Sequence, residues 1–65
     1  MTAEQKAAYI MAQAACVNAQ IAAMQAENVF RMLAGSEQAH KPEAFERLPA
    51  QFGITHNQVI EFFRS

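Results

Sequence analysis

Between residues 3 and 34 the apolar positions recur at alternating spacings of three and four, and no Pro or Gly breaks the run before Gly35. That is the period of one helix face, so the pattern predicts a single long helix over about residues 3–34, about 48 Å long at about 1.5 Å per residue. Both ends carry matching signals. "TAEQ" at 2–5 fits a capping box, in which the Thr2 hydroxyl accepts from an early backbone amide and the Gln5 side chain reaches back to the Thr2 N–H. Gly35 followed by Ser36 is a left-handed stop. Between these ends Ala, Gln, Met and Glu dominate, residues that lose little conformational entropy in a helix.

The side chains of this helix sort into stripes. Ala8, Ala12, Ala15, Ala19, Ala22 and Ala26, continued by Val29 and Leu33, form a heptad seam filled mostly with the smallest apolar side chain, along which two helix backbones can approach closely. A second seam of larger residues, Ile10, Ala14, Val17, Ile21 and Met24, has the same spacing on another face. Lys6, Gln13, Gln20 and Glu27, spaced by sevens and joined by Arg31, mark the expected wet side. Met11, Met24 and Met32 read as core filling, and Cys16 as a small buried hydrophobe in a reducing compartment.

After Gly35 the pattern changes: alanine thins out and Phe45, Leu48, Phe52, Ile54, Val59, Ile60, Phe62 and Phe63 appear. "KPEAFERL" predicts a short helix over about 42–48, with Pro42 suited to the first turn and Glu43 to the helix dipole. Pro49 ends or kinks it. "THNQ" at 55–58 repeats the capping-box pattern after Gly53, so a last helix is predicted over about 56–64. The expected fold is all-α and a single domain over 1–65: a helical hairpin of one long N-terminal helix and two short C-terminal helices, dimerising through the long helix.

The dimer follows from lengths. Two short helices of roughly ten residues reach about 15 Å each, so they cannot cover both apolar faces of a helix about 48 Å long. Phe45, Leu48, Phe52 and Val59 are expected to pack back on the Ile/Val/Met face, with Phe45 and Leu48 both buried. The alanine seam is then expected to meet a second copy in an isologous dimer. Antiparallel pairing is favoured slightly over parallel, because opposed dipoles attract and Lys6 of one chain would approach Glu27 of the other. The Ile/Val/Met face is the alternative interface.

Composition narrows the function. A chain of 65 residues buries only about 60% of its unfolded surface, and with one cysteine it has no internal disulfide to compensate. His40, His56 and Cys16 are too scattered to make a metal site, and neither metal nor cofactor is expected. Five basic residues stand against six acidic ones, which argues against a general polyanion binder. No apolar run approaches a membrane span and no signal-peptide pattern opens the chain, so a cytoplasmic protein without membrane contact is expected. No Ser/His/acid or Cys/His grouping is set up by local spacing, and a non-enzymatic role is expected.

"FGITHNQVIEFFR" at 52–64 raises a different possibility. Leu48, Phe52, Gly53, Ile54, Val59 and Phe62 match the apolar and turn positions of a helix-turn-helix, and Thr55, His56, Asn57, Gln58 and Arg64 would then face DNA. Two features oppose this. Pro49 falls where the first helix should be intact, and residues 36–65 carry three basic side chains against four acidic ones, which leaves little attraction for phosphates. A small DNA-binding regulator using residues 42–64 therefore stands as the alternative to a protein–protein interaction module.

The opening "MTAEQKAAYIMAQ" together with the Phe-rich tail resembles the short all-helical early proteins that lambdoid phages encode between their exonuclease and excisionase genes. That resemblance implies a regulatory product made early in infection, acting in the host cytoplasm by binding a partner protein to bias host physiology or the choice between lysis and lysogeny. "MT", Lys6, Ala8 and "MAQ" are also similar to the opening of the plasmid RNA-binding four-helix proteins. The Pro-containing tail departs from their simple hairpin, and with Lys6 and Arg31 as its only basic residues the long helix lacks most of their RNA-binding face.

Overall fold

The computed structural model describes residues 1–64. Among them the chain is all-helical, in the order α1 (Ala3–Leu33), α2 (Pro42–Glu46), α3 (Leu48–Gln51) and α4 (His56–Arg64). The long helix begins as its sequence dictates. Gln5 N–H donates to the Thr2 hydroxyl at 3.1 Å and Thr2 N–H donates to the Gln5 side-chain oxygen at 2.9 Å, closing the capping box. It also ends as expected. Gly35, at φ +77, donates to Met32 O while Ser36 donates to Arg31 O, the two crossed bonds of a Schellman motif.

The predicted helix over 42–48 is instead two pieces. α2 stops at Glu46, Arg47 caps it, and a separate turn, α3, carries Pro49 in its first two positions. Pro49 has no N–H to donate to Phe45 O and its ring crowds that carbonyl, so a continuous helix is interrupted, yet its fixed φ suits the start of a new turn. α3 closes like α1: Gly53, at φ +73, donates to Ala50 O and Ile54 to Pro49 O. Thr55 and Gln58 then form the second capping box, with Thr55 N–H to Gln58 Oε1 at 3.1 Å and Gln58 N–H to the Thr55 hydroxyl at 3.4 Å.

From Gly35 the tail returns along α1 toward its N-terminus. His40 lies against Glu27 and Asn28, Leu48 against the middle of the helix, Phe52 beside Gln13, and Phe62 beside Tyr9 and Lys6. The core at the centre of this return consists of Val17, Met24 and Leu48, exposed by only 6%, 5% and 4%, with Ile21, Ala44, Phe45, Phe52 and Ile54 packed around them. The Ile/Val/Met face is thus the one the tail covers. Val59 is half-buried on the same side.

Four expectations need correction. Phe45 is only partly buried, because it sits at the edge of the core beside His40 rather than at its centre. Met11 and Met32 are 71% and 65% exposed; of the three methionines assigned to core filling, only Met24 lies on the face under the tail. Cys16 is exposed, since at about 100° per residue it points about 100° away from Val17. The expected wet stripe is wet only in part: Gln20, Glu27 and Arg31 are exposed, whereas Lys6 and Gln13 are half-buried. Each lies within about 80° of Val17 around the helix, so the stripe they form is the rim along which the returning tail is fastened.

Leu48 is the one buried residue of the tail among those described, and Leu48→Ala is expected to cost about 2–5 kcal/mol, more than Phe45→Ala at its partly buried site. Thermal melts followed by far-ultraviolet circular dichroism check this. A Leu48→Ala variant that melts with wild type would mean the tail is not held by this contact.

Candidate functional site

Two features of the fold compete as sites: the fastened edge between tail and helix, and the helix face the tail leaves bare. The edge is built from polar side chains on α1 that reach the backbone of the return. Gln13 Nε2 donates to Phe52 O at 3.1 Å, at the point where α3 ends and its carbonyls lack helical partners. Asn28 holds the loop before α2 with two bonds, accepting from His40 N–H at 2.9 Å and donating to His40 O at 2.8 Å. The His40 imidazole Nε2 lies 3.0 Å from Glu27 Oε2, and Arg31 reaches the other carboxylate oxygen at 3.9 Å. At the far end Lys6 Nζ sits 5.8 Å from the centre of the Phe62 ring, and the Phe62 and Tyr9 rings pack at 5.4 Å.

Between Tyr9, Ile10, Phe52 and Phe62 this edge opens into a shallow apolar groove of about 540 Å³, with Asn57, Gln58 and Glu61 along its rim. The groove explains where the candidate DNA-reading residues point. Thr55 and Gln58 are spent on the α4 cap, and Gln58 Nε2 also donates to Ala50 O at 3.2 Å. Asn57 and Gln58 border the groove and are exposed. His56 is exposed, and Arg64 pairs with Glu61 at 3.1 Å. Of these five side chains His56, Asn57, Gln58 and Arg64 are exposed and Thr55 is half-buried. Among the described residues no three His, Cys, Asp or Glu side chains group in a way that could hold a metal ion.

The bare face of α1 is the larger feature. Ala8, Ala12, Ala15, Ala19, Ala22, Ala26, Val29 and Leu33 are all exposed. Their seam is centred about 170° around the helix from Val17, diametrically opposite the tail. Bulky residues flank and extend it: Met11, Phe30 and Leu33 are 71%, 74% and 80% exposed. An isolated exposed leucine or methionine is ordinary, but a contiguous apolar strip along a whole helix is a candidate interaction surface. Sequence spacing located this seam. The polar fastening at Gln13 and Asn28 was not located, because nothing local to those residues records that a segment 12 to 39 positions away will pass beside them.

The stretch from Ala7 to Ala26 holds no charged residue, and by length and composition alone α1 is long and apolar enough to cross a membrane. This corrects the expectation that no apolar run approaches the length of a membrane span: alanines and uncharged amides fill the positions between the bulky apolar residues. Gln13, Asn18, Gln20 and Gln25 lie within that stretch, and each amide placed in hydrocarbon without a partner costs several kcal/mol. No family model, curated protein or solved structure matches the chain.

The His40 hydrogen bond holds the Glu27 carboxyl below its usual range, assisted by the charges of His40 and Arg31 and opposed by desolvation. A carboxylate whose pKa is lower folded than unfolded stabilises the fold fully above the unfolded value, and that stability is lost as pH falls through the folded one. Melting temperature is therefore expected to fall on acidification from about pH 5 downward, and less steeply in Glu27→Gln. Identical acid limbs in the two proteins would show that Glu27 does not fasten the loop.

Proposed function

We propose that the chain is a non-enzymatic helical module that works through protein–protein contact, and that its first partner is a second copy of itself, met along the α1 face opposite the tail. The observation that carries the reading is the division of α1 into two apolar faces about half a turn apart, one closed by Leu48 and its neighbours, the other bare from Ala8 to Leu33. Three buried residues among those described make a small core, and association is the remaining source of apolar burial for a domain of this size. Alanine suits a helix partner in particular, since small side chains let two backbones approach and pack along their length. The resemblance to short early phage proteins fits a regulatory setting, in which the dimer presents its grooved outer side to a host protein.

A DNA-binding regulator using residues 42–64 draws less support. Its candidate reading residues serve the α4 cap, the groove rim and an ion pair, and the segment has a net negative charge. Lipid is the other candidate cover for the bare face, and the amides within α1 weigh against it.

Mass measured by light scattering during size exclusion tests the proposal. The expected result is a dimer at tens of micromolar, and a shift to monomer in Ala19→Glu, because an unpaired carboxylate in a close-packed seam costs several kcal/mol. A wild type of monomer mass, or an Ala19→Glu variant as dimeric as wild type, would overturn it. A gel-shift titration at low salt against mixed duplex DNA separates the two classes of function: tight, salt-sensitive binding would favour the regulator.

A further inference from the structure

We infer that the second copy lies antiparallel on α1 in one register, which sets Ala8 level with Leu33 of the other chain. This rests on the homodimer reading above and adds orientation, register and contacts to it. From Ala8 to Leu33 the seam steps by 4, 3, 4, 3, 4, 3 and 4 residues, an order that is the same from either end. An antiparallel copy therefore meets every seam position with a seam position. Ala8 pairs with Leu33, Ala12 with Val29, Ala15 with Ala26 and Ala19 with Ala22. Each bulky residue meets an alanine, so the helix axes stay close throughout. A parallel copy would set Leu33 against Leu33 and Val29 against Val29 at one end and alanine against alanine elsewhere, and the two helices would splay.

The flanks of the seam discriminate further. One flank carries Tyr9, Cys16, Ala23 and Phe30, and the other Met11, Asn18, Gln25 and Met32, each spaced by sevens. The two-fold axis of an antiparallel pair runs perpendicular to the helices and brings like flanks together. In the register above, Phe30 of the second copy lies within two residues of the level of Tyr9, about 3 Å along the axis. The same offset places Met32 of the second copy beside Met11, and Gln25 of the second copy beside Asn18. Aromatic meets aromatic, thioether meets thioether, and each amide gains an amide to hydrogen-bond. Parallel pairing joins opposite flanks and would set Asn18 against Ala23 and Gln25 against Phe30, leaving polar groups facing apolar ones.

Burial and area agree with this arrangement. The six large apolar side chains that α1 exposes are Tyr9, Met11, Val29, Phe30, Met32 and Leu33, and the antiparallel register gives every one of them a cover. In this register the two helices overlap from residue 8 to residue 33, about 38 Å, so a strip about 10 Å wide covers about 380 Å² per chain, or about 760 Å² for the pair, short of the roughly 1,000 Å² that a specific interface needs. Alanines alone are insufficient. The flanks widen the contact to about 14 Å and bring it to about 1,060 Å², just above that lower bound. Each flank also ends at a concavity, since Tyr9 walls the apolar groove and Met32 with Val29 lines a second hollow of about 300 Å³.

Disulfide trapping tests the register in the full chain. In a Cys16→Ala background, Ala8→Cys and Leu33→Cys are made as separate proteins; all three positions are exposed, and circular dichroism confirms that each variant folds. The expected result is that oxidation of the mixed pair gives a crosslinked dimer in up to about half of the chains, since bonded cysteines need Cα atoms within about 7 Å. Each protein alone gives none, because its two cysteines would lie about 37 Å apart. Ala15→Cys mixed with Ala26→Cys is expected to behave in the same way. Crosslinking within the single-variant pools would show a parallel dimer, and dimers that crosslink in no pool would show another face or offset; either result overturns the register and leaves self-association standing. Monomer mass before oxidation, with cosedimentation on phosphatidylcholine vesicles, would assign the face to lipid and overturn both.

Discussion

The constraint on which the rest of this molecule depends is the mismatch between a helix of 31 residues and a tail able to cover one side of it. α1 extends about 46 Å at about 1.5 Å per residue, and the molecule is accordingly 49 × 17 × 10 Å, closer to a rod than a sphere. A rod has little interior. Val17, Met24 and Leu48 are its only buried apolar residues among those described. Every other apolar side chain of α1 is either partly covered by the tail or turned away from it, and the half turned away runs unbroken from Ala8 to Leu33. Stability and function are therefore coupled: whatever covers that face also supplies the apolar burial that the single chain lacks.

The polar edge explains why the tail takes one face and leaves the other. A helix with two apolar faces could in principle fold its tail onto either. On the Ile/Val/Met side, Gln13 and Asn28 meet exposed backbone groups of the return at Phe52 and His40, and Lys6 and Glu27 add aromatic and imidazole contacts at the two ends. On the alanine side the residues level with these anchors, such as Ala12 and Ala26, offer no donor or acceptor beyond the helix backbone. Backbone groups of the tail packed there would lose water without gaining partners. Bulk points the same way, because Leu48 and Phe52 fill the space between Val17, Ile21 and Met24, whereas a row of alanines is flat and fits another helix better than a phenylalanine.

Much of this was legible in the sequence, for local reasons. Both capping boxes, the glycine stop after α1 and the division of α1 into two seams follow from residues within a few positions of one another. The break between α2 and α3 was legible only in part: Pro49 announces an interruption, but whether the chain then turns or restarts a helix depends on Gly53 and the crossed bonds that close α3. The stripe of Lys6, Gln13 and Glu27 misled in part because polarity at heptad spacing does not distinguish a face turned to water from the border of a buried contact. Met11 and Cys16 misled for the complementary reason, since an apolar residue on a helix reveals that it needs cover and not that its own chain provides it. The seam itself was found from spacing alone. Its palindromic order becomes informative only with the exposure of Phe30, Met32 and Tyr9, which identifies the flanks that a partner has to satisfy.

In the proposed dimer α1 has one face closed by its own tail and the opposite face closed by a second copy, and methionine oxidation reads both faces in the same molecule. Met24 lies under Leu48 and Met11 lies beside the alanine seam, 5% and 71% exposed in the single chain. A brief pulse of hydroxyl radicals across a protein dilution series, followed by mass spectrometry of the fragments, gives a rate for each. Met24 is expected to react slowly at every concentration, while Met11 reacts fast in dilute protein and becomes protected as concentration rises. A Met11 rate that does not change with concentration, or a Met24 rate equal to that of Met11, would contradict this arrangement.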